Sequence, residues 1–149
     1  MNRTIEFRGK RADGNGWVYG QYYHNIEDDK HYILSGKKVL FKVDAAHPHI
    51  VVRGFEYFEV IPETVGQFIG LLNNDGKKIY EGDIITSDRY TKPAVVSYIN
   101  DGFYTVNPNC CEKCENGEGC IEGLREAIVL SKTFEVIGNI YDNKELITD

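Results

Sequence analysis

The sequence has little that announces a reaction. It holds four serines, Ser35, Ser87, Ser97 and Ser131, and none sits in the Gly-x-Ser-x-Gly setting of a hydrolase nucleophile. It contains no phosphate-cradling glycine loop followed by Lys-Ser/Thr, no His-Glu-x-x-His pair and no dinucleotide fingerprint. These absences remove the commonest hydrolase, nucleotide-hydrolysing and dehydrogenase readings. No stretch approaches the ~20 apolar residues that a membrane helix needs. The opening Met1-Asn2-Arg3-Thr4-Ile5-Glu6 also lacks the apolar core of a signal peptide. Both features predict a cytoplasmic protein without a membrane partner, whose thiols stay reduced. Low-complexity segments and internal repeats are missing as well.

Positive charge is scarce in the second half. Residues 1–60 carry nine Lys and Arg against eight Asp and Glu, whereas residues 61–149 carry eight against fifteen. The net charge is −6, and an acidic half repels phosphate backbones, which argues against nucleic acid as a partner. Arg3, Arg8, Lys10 and Arg11 form a local basic group, read here as a solvated strand edge whose charges discourage edge pairing.

What is abundant is aromatic: ten Tyr and seven Phe, against one Met and one Trp. Aromatic and β-branched residues fit a pleated, half-buried surface, so the composition leans toward sheet. At 149 residues the chain suits one domain or two small lobes. A chain of this size buries roughly 68–70% of its unfolded surface.

The order of signals reads as short strands and turns. Ile5 and Phe7 alternate with Glu6 and Arg8, and Ala12-Asp13-Gly14-Asn15-Gly16 turns the chain into a strand from Trp17 to Tyr23. A strand around His31–Leu34, a turn at Ser35-Gly36-Lys37-Lys38 and a strand from Val39 to Val43 follow. His49–Arg53 and Phe55–Ile61 read as strands, with Gly54 marking a bulge. Further on, Val65–Leu71 is a strand and Asn73-Asn74-Asp75-Gly76 a turn. Lys78–Tyr80 and Ile84–Thr86 flank Glu81-Gly82-Asp83, and a hairpin crosses Asn100-Asp101-Gly102. Ala127–Leu130 and Phe134–Ile140 close the set. Helix is confined to one turn near Pro62-Glu63-Thr64 and one near Ile121–Glu126. The fold class expected is mainly β. A short-stranded N-terminal sheet, residues 1–62, packs with a small C-terminal β-barrel, residues 63–149, which carries a cysteine-rich loop at 107–123.

Several of these segments resemble a known family. Phe7-Arg8-Gly9-Lys10, Trp17-Val18-Tyr19-Gly20 and His31-Tyr32-Ile33 are similar to the opening of the YopX family of bacteriophage and prophage proteins. PETVGQFIGL at 62–71, GKKIYEGDII at 76–85 and EVIGNIYDN at 135–143 continue the match in order. The resemblance implies a small, mainly β protein encoded in phage genomes or prophages and acting in the bacterial host cell. It implies no catalytic residues, since none is assigned in the family. The segment from Asn107 to Gly123 falls outside the shared pattern.

That segment holds every cysteine: Cys110, Cys111, Cys114 and Cys120. Cys111-Glu112-Lys113-Cys114 has the two-residue gap that lets two thiolates close on one Zn²⁺, and Cys110 and Cys120 complete a four-thiolate structural site. Against this, a single C-x-x-C is weakly specific and adjacent Cys110-Cys111 is awkward for joint ligation. Glu112, Glu115, Glu118 and Glu122 also surround the site with negative charge. The alternative is an exposed loop of unligated thiols. No other cofactor is expected.

Other constellations read structurally. His47-Pro48-His49 is a polar loop with a proline kink. His31 is a strand residue with a hydrogen bond. Glu81 and Asp83 flank Gly82 in a tight turn, Asp83 bonding to nearby backbone amides rather than doing acid–base work.

The aromatic set is the main functional lead. Consecutive Tyr22-Tyr23 and Tyr57-Phe58 put rings on both faces of their strands, so one face packs on a core and the other needs a partner. Trp17, Tyr19, Tyr22, Tyr23 and Tyr57 are the interface residues expected, against the alternative of a core filled from both sides. The reading is a non-enzymatic binding module that self-associates and engages a host or phage protein. A small-barrel nucleic-acid protein is the first alternative and an uncharacterised enzyme the second.

Overall fold

The computed structural model describes residues 3–42, 45–46, 51–88, 92–107, 120–123 and 133–148. The chain forms two compact units, one of Ile5–Gln67 and one of Phe68–Asp149 with Met1–Thr4. Every described strand pairing is antiparallel, and no α-helix occurs among the described residues.

In the first unit, β1 (Phe7–Lys10), β2 (Trp17–Asn25), β3 (Lys30–Lys42) and β4 (Val51–Glu59) precede β5 (Gly66–Leu72). They lie in the order β4-β3-β2-β1-β5. The turn between β1 and β2 forms where expected. Asp13 accepts the Asn15 amide at 3.0 Å, and the register sets Lys10 opposite Trp17 and Gly9 opposite Val18. Alternation sends Val18, Ile33 and Val60 into one small core, with Phe7, Phe58 and Val65 packed against it. Gly9 belongs at this core because a Cβ there would stand 3.1 Å from that of Val60.

Three expectations change here. Ser35–Lys38 is not a turn: β3 runs through it, because the residues on both sides pair with the same strand, Leu34 with Tyr57 and Lys38 with Phe55. Ser35, Gly36 and Lys37 bulge opposite Glu56, whose carboxylate accepts the Ser35 hydroxyl at 3.0 Å. Gly54 is not a bulge but sits in register with Val39. A Cβ there would meet the Phe41 ring at 2.6 Å, so the glycine makes room for that ring. Finally, β1 is no solvated edge. It lies between β2 and β5, and Arg8 is buried.

A 3₁₀ turn at Pro62–Thr64 leads into β5, as expected. Its structural residue is Thr64, whose hydroxyl donates to the Ile61 carbonyl at 2.7 Å and accepts the Lys10 amide at 2.8 Å.

In the second unit, Phe68 and Leu72 of β5 pair with β6 (Lys78–Tyr80). β7 (Asp83–Ser87), β8 (Ala94–Ile99), β9 (Gly102–Asn107), β10 (Cys120–Gly123) and β11 (Phe134–Asn139) form a sheet in the order β10-β9-β8-β7-β11. Its core is Ile79, Ile85, Ala94, Val96 and Phe134, with Ile69, Leu71, Phe103 and Val136 around it. The helical turn expected at Ile121–Glu126 is replaced over its first residues by β10, which pairs with β9 from Cys120↔Asn107 to Gly123↔Tyr104. No pairing among the described residues joins β10 to β11, so over those residues the sheet is open. The strand expected at Ala127–Leu130 lies outside the described residues.

The turns follow their side chains. Asn73 accepts the Asp75 and Lys77 amides at 3.0 and 2.8 Å. Between β6 and β7, Gly82 takes φ +83°, and buried Asp83 accepts the Tyr80 amide at 2.8 Å. That is the backbone-capping role expected of Asp83.

Candidate functional site

The side of β2–β3–β4 away from the first core carries a ring cluster of its own. Register places Tyr23 opposite Tyr32, Gln21 opposite Leu34, and Leu34 opposite Tyr57. Alternation therefore puts all of them on one face. The Tyr23 and Tyr32 rings stack at 6.5 Å and 27°, and Tyr57 meets Tyr32 edge-on at 5.7 Å and 80°. With Asn25 they line a groove of ≈ 630 Å³. Tyr23 and Tyr57 remain more than half exposed, at 54% and 57%.

The groove is apolar in its walls and polar at its ends. Gln21 is held by its amide, which donates to the Ile5 carbonyl at 2.8 Å, and the Asn25 oxygen accepts the Glu27 amide at 3.2 Å. Desolvation of the Tyr32 phenol, reinforced by the Asp28 carboxylate, raises its pKa above the usual tyrosine value. Its hydroxyl therefore stays protonated, able both to donate and to accept. Rigid rings that carry hydroxyls suit contact with another protein, since they bury a large area and keep a polar handle.

The opposite side of the same strands is already used. The Tyr22 ring lies 5.5 Å from Phe7 and 5.8 Å from His31, and its hydroxyl shares a 2.6 Å hydrogen bond with His31 Nδ1. This is the hydrogen bond expected for His31. His24 stacks on His31 at 4.2 Å and 6°, and its Nε2 bonds Asp29 Oδ1 at 2.8 Å.

Of the aromatic residues singled out from the sequence, Tyr23 and Tyr57 come together at the groove. Tyr22 contributes to its lining while its ring engages the packed side. Tyr19 is exposed further along β2. Trp17 is half-buried, with the Arg8 guanidinium 4.8 Å and the Lys10 ammonium 5.9 Å from its ring. Arg11 lies 4.0 Å over Phe58 and pairs with Asp13. That pairing, with the Asn15 backbone amide, holds the Asp13 carboxyl down at about 2. Arg8, Lys10 and Arg11 thus hold the hairpin together from within.

Cys110, Cys111 and Cys114 lie outside the described residues, as do His47 and His49, while Cys120 opens β10. The residues that sequence reasoning missed are Tyr32, Leu34, Gln21 and Asn25, together with the His24, Asp29 and His31 group. The available signal was alternation: with Ile33 in the core, Tyr32 and Leu34 must face away.

The family model described as YopX protein matches residues 6–148. No curated protein matches the chain. Among solved structures, the fold is similar to the crystal structure of protein EF1440 from Enterococcus faecalis. The TM-score is 0.61 at 18% identity, over 99% of this chain and 100% of that one.

Proposed function

The chain belongs to the YopX family, and we propose that it acts by binding protein through the tyrosine-lined face of β2–β4. In this reading it is a non-enzymatic phage or prophage accessory protein working in the bacterial cytoplasm. It pairs with a second copy of itself through this face and engages a host or phage protein there.

One observation carries the reading. Tyr23, Tyr32 and Tyr57 stand on the solvent side of strands whose other side is filled by Val18, Ile33 and Phe58. These rings take no part in that core, yet Tyr32 contacts both Tyr23 and Tyr57 beside a groove that all three line. Aromatic side chains fixed in this way lose little conformational freedom on docking, which is the economy that interface hot spots exploit.

Sedimentation of the intact protein over a range of concentrations tests the self-association. The wild-type chain is expected to associate reversibly, and Tyr23→Ala with Tyr57→Ala to weaken association by about 10- to 100-fold, the effect of removing two central aromatic anchors. Association unchanged in the double variant would remove this face from the account.

A further inference from the structure

We propose that His24, Asp29 and His31 form a binding site for a divalent transition-metal ion at the tip of the β2–β3 hairpin. One donor atom from each of the three residues lies within 4.8 Å of the other two. The arrangement follows from the ladder. His24 and His31 are direct cross-strand partners, which sets their side chains at neighbouring-residue distance. Asp29 is brought back toward them by the turn that it closes, in the left-handed conformation at φ 53°.

The hydrogen bonds already present prepare the donors. Tyr22 Oη engages His31 Nδ1 at 2.6 Å. With the proton on Nδ1, the hydroxyl accepts and the Nε2 lone pair is left for a metal. A hydrogen bond at the other ring nitrogen fixes a ligating histidine in this way. The His24 Nε2–Asp29 Oδ1 contact at 2.8 Å already brings two of the three donors together, and a bound cation would take the place of that hydrogen bond.

Two parallel imidazoles 4.2 Å apart do not aim both lone pairs at one point, so one ring must turn. Donors around one ion at about 2.1 Å lie about 3–3.5 Å from one another, and rotation of exposed side chains supplies that closure. The side chains of His24 and Asp29 are 38% and 87% exposed, so solvent leaves both room to turn once their present contact is exchanged for the ion. Tyr22 meanwhile keeps His31 in place.

Imidazole with a carboxylate selects zinc, nickel or copper, rather than the all-oxygen sites of calcium and magnesium. Glu27 and Asp28 share the hairpin tip and raise the local cation concentration, while the nearby Lys30 ammonium is occupied by Glu59 at 2.8 Å. Three protein ligands leave open positions for water.

Zinc titration of the full reduced chain, followed by the imidazole ring-proton NMR signals, tests the assignment. The signals of His24 and His31 are expected to shift together and to saturate. Affinity at this site should fall at least tenfold in His24→Ala, where an exposed side chain is removed, and in Asp29→Asn, which keeps the turn. A chain with Cys110, Cys111, Cys114 and Cys120 all changed to Ser should retain the shifts. Zinc binding that leaves the two histidine signals unmoved would overturn the proposal, as would full affinity in His24→Ala or no binding at all.

Discussion

Tyr22 and Tyr23 are adjacent in sequence and serve opposite sides of one sheet. Tyr22 packs on Phe7 and hydrogen-bonds His31, whereas Tyr23 stacks on Tyr32 in an open groove. Alanine at the two positions should therefore have different consequences. Tyr22→Ala removes a half-buried ring and its hydrogen bond and should cost about 1–3 kcal/mol of stability in urea unfolding. Tyr23→Ala and Tyr57→Ala should stay within about 0.5 kcal/mol of wild type while weakening association.

Asp83 supports a different prediction. The residue is 2% exposed, and its carboxylate accepts the Tyr80 amide across the Glu81-Gly82 turn. Asp83→Ala strands that donor and should destabilise the second unit by about 1–3 kcal/mol. Asp83→Asn keeps an acceptor in the same place and should recover part of the loss. Hydrogen exchange at the Tyr80 amide reads the difference directly.

Backbone contact at Gly20 sets a third test. A Cβ at this position would stand 1.8 Å from the Leu34 carbonyl oxygen, with no flexible side chain able to yield. Gly20→Ala should break the β2–β3 pairing locally and cost more than about 2 kcal/mol. Gly14→Ala is the comparison: at φ +78° with open space around it, it should cost only about 1 kcal/mol for the left-handed backbone. Thermal unfolding of both variants ranks them.

The Arg11–Asp13 pair makes stability depend on acid. The folded carboxyl titrates at about 2, below its ordinary value, so it binds its proton less readily when folded than when unfolded. The stabilisation is therefore complete above the ordinary carboxyl range and is lost as pH falls from about 4 through 2. An NMR titration of the Asp13 carboxyl should give a midpoint near 2 in the wild-type chain. In Arg11→Ala the midpoint should return toward the usual value, and a midpoint unmoved by that substitution would assign the shift elsewhere.

Much of the fold was legible because local chemistry and tertiary pairing agree. Asn73 and Asp83 cap the turns their positions promised, and the hairpin across Asn100-Asp101 joins β8 to β9. Reading failed where a local signal was overruled by a neighbouring strand. Ser35-Gly36-Lys37 has the composition of a turn, but β4 pairs on both sides of it and turns it into a bulge. Gly54 resembled a strand defect because nothing local reveals that Phe41 lies across it. At the candidate site, alternation separated Tyr22 from Tyr23. Only the register of three strands brings Tyr32 and Tyr57 together, or places His24 against His31.

Co-purification most directly tests the claim that the tyrosine face is where this protein does its work. A tagged wild-type chain and the Tyr23→Ala, Tyr57→Ala variant would each be captured at moderate salt from the induced host, with and without nuclease. A stoichiometric protein partner, resistant to nuclease, is expected on the wild type and absent from the variant. The same partner on both chains, or material that nuclease removes, would contradict it.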